Sequence, residues 1–90
     1  TREILLESGR VRAYRLRRPI AAEHVIVEPI ENSASFLDVA PELLAELMAV
    51  VQHFAREVAA RAGSCRVTTR VAPKPGETGA TLQWHVVGDS

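Results

Sequence analysis

In this chain of 90 residues a few side chains combine a useful chemical type with a useful spacing: His24 with Glu28, and Gln83 with His85. HVIVEP at 24–29 reads as a strand, and the two-residue period of a strand puts His24, Ile26 and Glu28 on one face. The same period in TLQWHVVG at 81–88 puts Thr81, Gln83 and His85 on one face and Leu82, Trp84 and Val86 on the other. An imidazole changes charge near neutral pH and a carboxylate takes or gives a proton, so His24 and Glu28 form a candidate acid/base pair. The plainer reading of Glu28 is a solvated glutamate at a strand end. His85 is the best functional candidate, and its plainer reading is an ordinary strand histidine. His53 falls between Glu46, Ala49, Glu57 and Ala60 on the outer face of a helical segment and is expected at the surface.

Arg10, Arg12, Arg15, Arg17 and Arg18 place five arginines within nine residues, and their forked donors suit phosphate or carboxylate. They read either as an anion site or as an arginine-rich edge strand that pairs with the acidic middle segment of Glu23, Glu28, Glu31, Asp38, Glu42 and Glu46. Cys65 is the one cysteine, so there is no internal disulfide and no ligand pair for zinc. It is expected to pack rather than react, a reducing compartment is expected, and neither a metal nor a cofactor is implied.

These side chains need elements to hold them. EILLES and RVRAYRLR, broken at Ser8-Gly9, read as a hairpin, with Pro19 closing its second strand. HVIVEP is a short third strand ended by Pro29, and ENSASFLDVA, with its cap-type residues, reads as loop with at most one helical turn. From Pro41 to Ala62 the residues Leu43, Leu44, Leu47, Met48, Val51, Phe54 and Val58 recur at helical spacing, with Pro41 in the permitted first turn and Gly63 just past the end. One long amphipathic helix follows. CRVTTRVA at 65–72 alternates as a fourth strand, PKPGETGA is a loop, and TLQWHVVG is the fifth strand. The order βββαββ is an α+β fold, a five-stranded antiparallel sheet with one long helix.

A chain of 90 residues builds one core, so residues 1–90 are expected to form a single domain. Hydrophobic residues at 47% and charged ones at 24% exclude disorder, and the four aromatic residues are too few for stacking platforms that read single-stranded nucleic acid. Eleven basic and eleven acidic residues cancel, which removes any overall pull toward nucleic acid or an anionic membrane. The uncharged stretch LMAVVQHFA at 47–55 is far shorter than the roughly 20 residues of a membrane span, and no signal-peptide pattern opens the chain. A cytoplasmic protein is expected. A start at Thr1 without Met reads as a trimmed or processed end.

With these elements in place, the chain resembles the histidine triad (HIT) superfamily, whose last strand carries His-φ-His-φ-His-φ-φ followed by Gly, φ being a hydrophobic residue. GRVRAYRLRRPIAAEHVIVEP at 9–29 aligns without a gap to the family's strand, Pro-containing loop and His-to-Pro strand, and the match continues through the helix to GETGATLQWHVVG. The resemblance implies a HIT-like fold and nucleotidyl transferase or hydrolase chemistry, in which the middle His of the triad attacks an α-phosphorus. Here Gln83 stands at that nucleophile position, and a neutral amide has no usable lone pair for the attack. Leu16 replaces the acidic residue that holds the ribose hydroxyls, Arg70 stands where a site Asn is usual, Thr81 where the first triad His is usual, and Asn32 where another His often follows. Glu28 takes a position the family gives to an aliphatic residue. His24, His85, Gly76 and Thr78 match, the last as the family's phosphate-loop hydroxyl. The resemblance also places the strand of His24 and Glu28 beside the triad, hence near His85.

The expectation is a degenerate HIT-like domain that has lost nucleotidyl transfer and keeps a pocket for a small-molecule or phosphate-containing ligand. Two alternatives stand beside it. One is a repurposed enzyme using His24, Glu28 and His85 in acid/base work on a non-nucleotide substrate; the other is a purely structural or interaction domain. The resemblance further implies a homodimer in which two sheets become one, and the width of the helix's apolar face at Leu44, Val50 and Val51 agrees with a second surface to cover.

Overall fold

β1 (Arg2–Ser8) and β2 (Val11–Leu16) form the first hairpin. Ser8 pairs with Val11, so the turn is Gly9-Arg10, one residue later than the sequence break at Ser8-Gly9 indicates. Gly9 has φ 57°, a left-handed backbone that glycine adopts without strain. This computed structural model describes residues 2–16, 23–31, 36, 38–69 and 82–88, with the backbone alone for Arg2 and Leu16. β3 (His24–Pro29) pairs antiparallel with β2, β4 is Cys65–Thr69 and β5 is Trp84–Gly88. The sheet order is β1-β2-β3-β5-β4, every neighbour antiparallel. β5 thus starts at Trp84 rather than Thr81, because Leu82 and Gln83 precede the ladder. Arg70 to Ala72, the expected end of the fourth strand, lie outside the described residues.

The helix α1 spans Pro41–Ala62, as its periodicity predicts. Its first hydrogen bond runs from Leu44 N–H to Ala40 C=O at 2.9 Å, Ala40 offers no side-chain cap, and Glu42 sits in the positive first turn. Gly63 ends it at φ 92°, its N–H bonding Ala59 C=O at 2.8 Å. Leu47, Val51, Phe54 and Val58 are buried along one stripe and meet Val11, Ala13, Val25, Val27, Trp84 and Val86 from the sheet. Leu82 is buried in the same cluster, and Phe36 stands edge-on to Trp84 with ring centres 6.2 Å apart. These contacts fix which face of β5 meets the helix. His85 must lie on the other.

β2, the arginine-rich strand, is the second strand and not an edge; β1 and β4 are the edges. Arg12 pairs with Glu28 and Arg10 with Glu46, as the reading with the acidic middle segment requires, whereas Arg15 faces Glu3 of β1. His53 is exposed on the outer helix face beside Glu57. Cys65 is half-buried, its thiol directed at Ala55 C=O. Among the described residues no helix is long and apolar enough to cross a membrane.

Candidate functional site

The face of the sheet opposite α1 carries Arg12 and Tyr14 from β2, His24, Ile26 and Glu28 from β3, and His85 from β5, because cross-strand partners share a face. On an exposed sheet this row would be wet. Instead all six residues of β3 are buried, with His24 at 6% and Glu28 at 5% exposure, and Tyr14 is at 5%. Buried polar groups have to be partnered, and the pattern of partners divides the row into two clusters.

In the first, Ile26 stands opposite His85, which makes His24 the diagonal neighbour of His85. His24 Nε2 lies 2.9 Å from His85 Nδ1. One imidazole must donate and the other accept, so the pair holds a single proton between the facing nitrogens. Burial, and after it the charge of His85, push the His24 pKa below its ordinary value. His24 Nδ1 is itself buried and has no hydrogen-bond partner among the described residues.

In the second cluster Glu28 is the hub. Arg12 Nε and Nη2 donate to Glu28 Oε2 at 3.2 and 2.9 Å, and Tyr14 O–H donates to Oε1 at 3.4 Å. Gln83 Nε2 donates to the same Oε1 at 2.8 Å and to Tyr14 Oη at 3.2 Å. Thr69 Oγ1 donates to the backbone carbonyl of Gln83 at 2.7 Å, so both ends of this residue are held. Glu28 is therefore no solvated strand-end glutamate.

The structure brings together His24 with His85, and Glu28 with Gln83. It does not pair His24 with Glu28, as the sequence led us to expect: four residues along a strand span roughly 13 Å, and Ile26 lies between them. Tyr14 and Thr69 were missed. Tyr14 was legible in principle, since it lies two residues before Leu16 on the same face; Thr69 acts through a backbone contact that no residue pattern announces. Asn32, Arg70, Gly76, Thr78 and Thr81 lie outside the described residues, as does the side chain of Leu16. No three His, Cys, Asp or Glu side chains among the described residues cluster in a way that could hold a metal ion.

A β1-β2-β3-β5-β4 antiparallel sheet with one covering helix, and histidine and amide side chains gathered on its other face, defines a domain of the histidine triad type. The family model for the HIT domain matches residues 1–90, and the chain belongs to that family. Among solved structures it is similar to a HIT family hydrolase from Legionella pneumophila, with 22% identity, a TM-score of 0.77, and coverage of 100% of this chain and 83% of that one. A Hit-like protein involved in cell-cycle regulation from Bartonella henselae gives 24% identity and a TM-score of 0.82, covering 98% of this chain and 66% of the other. Plasmodium falciparum diadenosine triphosphate hydrolase shares the fold at a TM-score of 0.82 with 9% identity, covering 98% and 61%. A search of the curated proteins returns no match.

Proposed function

We propose that this HIT domain binds a small-molecule or phosphate-containing ligand on its Gln83–His85 face and does not perform nucleotidyl transfer by attack of a triad side chain. The observation that carries the proposal is the state of Gln83. Its nitrogen is a delocalised amide, and the N–H groups are committed to Glu28 and Tyr14, so no nucleophile is presented there. Loss of a nucleophile costs on the order of 10⁴–10⁶ in rate in enzymes where it has been measured. What supports continued binding is the investment in the site: a satisfied buried carboxylate and a histidine pair are expensive to keep on a face that the core does not need. Gly76 and Thr78 add generic phosphate donors in sequence, and Leu16 removes an acceptor for ribose. The test is hydrolysis of adenosine phosphoramidate and of diadenosine triphosphate, a substrate chosen because one structural relative is named for it. Background rates are expected, and Gln83→His alone is expected to stay weak because Thr81 and Leu16 still lack the family's partners. Turnover by the unaltered chain that is lost in His85→Ala overturns the proposal.

A second reading is favoured by the 2.9 Å contact between His24 and His85. Two imidazoles sharing one proton set a donor and an acceptor side by side, which is the arrangement that acid/base catalysis on a substrate other than a nucleotide requires. Glu28 stands outside that dyad and serves in orienting Gln83.

We further propose a homodimer. The edge position of β4 and an adjoining, largely apolar groove formed by Ala45, Met48, Ala49, Val51, Gln52, Ala55 and Val67 support it, with Val67 exposed although apolar. A twofold contact lets one such patch cover itself.

A further inference from the structure

The hydrogen bonds around Gln83 decide which of its functions faces a ligand. A primary amide has two N–H donors and one carbonyl acceptor. Gln83 Nε2 lies 2.8 Å from Glu28 Oε1 and 3.2 Å from Tyr14 Oη, so the donors are taken. The opposite amide orientation would set a carbonyl oxygen against the Glu28 carboxylate, two acceptors in contact, which fixes the assignment. Glu28 cannot turn aside to release the amide, because it is buried and its other oxygen is gripped by two nitrogens of Arg12. Thr69 holds the backbone of Gln83 in the same register. Gln83 itself is half-buried, and among the described residues no hydrogen bond reaches its Oε1, which is the group left to offer a ligand. The positive charge of Arg12 is spent on Glu28 and gives this spot no net attraction for an anion.

Resting on the small-molecule reading above, we propose that Glu28 is a specificity-determining residue: it turns Gln83 into a fixed acceptor, so the ligand group met there is a hydrogen-bond donor, a hydroxyl or an ammonium, and not an anionic oxygen. An anionic oxygen at Oε1 leaves two desolvated acceptors facing each other, a penalty that corresponds to about tenfold or more in affinity. A phosphoryl group elsewhere on the ligand, away from Gln83, is unrestricted.

The test is nitrogen-edited NMR of the full chain, following the Gln83 side-chain amide and the backbone signals of residues 83–85. In the free protein the Gln83 amide protons are expected to exchange slowly with water; rapid exchange of both overturns the proposal. Ribose and ethanolamine are then titrated separately, with inorganic phosphate as the third probe. Shifts at residues 83–85 with ribose or ethanolamine, and about tenfold weaker effects from phosphate, are the expected result. Phosphate acting there as strongly as ribose overturns the acceptor assignment while leaving the small-molecule pocket standing. No response to any of the three overturns both. Arg12→Leu/Glu28→Ile removes the anchor without changing net charge, and phosphate is expected to gain about tenfold on ribose in it. Tyr14→Phe, which frees one N–H and loses only a hydroxyl, keeps the test available if the double variant does not fold; the same change in direction is expected, and no change in either variant overturns the proposal.

Discussion

At the scale of single residues the two histidines and the glutamate differ in what their burial costs. Glu28 is compensated by Arg12, Tyr14 and Gln83. His24 has one hydrogen-bond partner among the described residues, another imidazole, and burial followed by the charge of His85 lowers its pKa from 6.5. The folded state therefore resists a proton that the unfolded chain accepts. Stability from this group is fully present above about pH 6.5 and is lost as the pH falls below that value toward the folded pKa, because the unfolded state then binds more protons. Urea midpoints measured between pH 7.5 and pH 5 are expected to fall, and to fall less in His24→Gln, which has no proton to take. Equal slopes in the two proteins would exclude this account.

At the scale of elements, the end of β5 and the end of α1 approach more closely than a side chain permits. A Cβ built on Gly88 would lie 2.9 Å from Ala62 Cβ, 3.0 Å from Glu23 Cβ and 3.2 Å from Val58 Cγ1. Two of these atoms are Cβ carbons, which move only with their backbones. Gly88 N–H also donates to Glu23 C=O at 2.9 Å, so the strand cannot simply retreat. Gly88→Ala is expected to destabilise by about 1–3 kcal/mol, the usual cost of overpacking, and calorimetry should register a lower Tm. A Tm equal to that of the unaltered chain would mean that the helix end yields freely. The close approach matters for the site because the strand that ends at Gly88 carries His85.

At the scale of the whole molecule the two faces of the sheet have different requirements. The helix covers one face with Leu47, Val51, Phe54 and Val58, while its flank toward the edge strand β4 leaves an apolar groove. Light scattering at micromolar concentration is expected to give close to twice 9.8 kDa. Val67→Glu puts a charge on that groove without touching the buried stripe and is expected to give a folded monomer. Val51→Glu is the poorer variant, since Val51 is 5% exposed and its loss would unfold the protomer as well. A monomer throughout the micromolar range for the unaltered chain would remove the dimer.

The sequence by itself determined the elements whose signals are local. Apolar spacing between Pro41 and Gly63 sets α1 at Pro41–Ala62, and HVIVEP bounded by Pro29 sets β3, because periodicity and chain punctuation act within a few residues. Alternation in the last strand also determined that Leu82, Trp84 and Val86 enter the core and that Gln83 and His85 do not. Only the tertiary structure decided who partners whom. Glu28 meets Gln83 across 55 positions of chain and His24 meets His85 across 61, through a β3–β5 register that no local pattern fixes. The rise of the strand itself keeps His24 and Glu28 apart, and that register gives each a partner from the far end of the chain. It also placed the arginine strand inside the sheet, and Glu28 in a buried setting where its carboxylate can orient an amide. The physical reason is that strand periodicity specifies a face, whereas pairing across a sheet specifies neighbours.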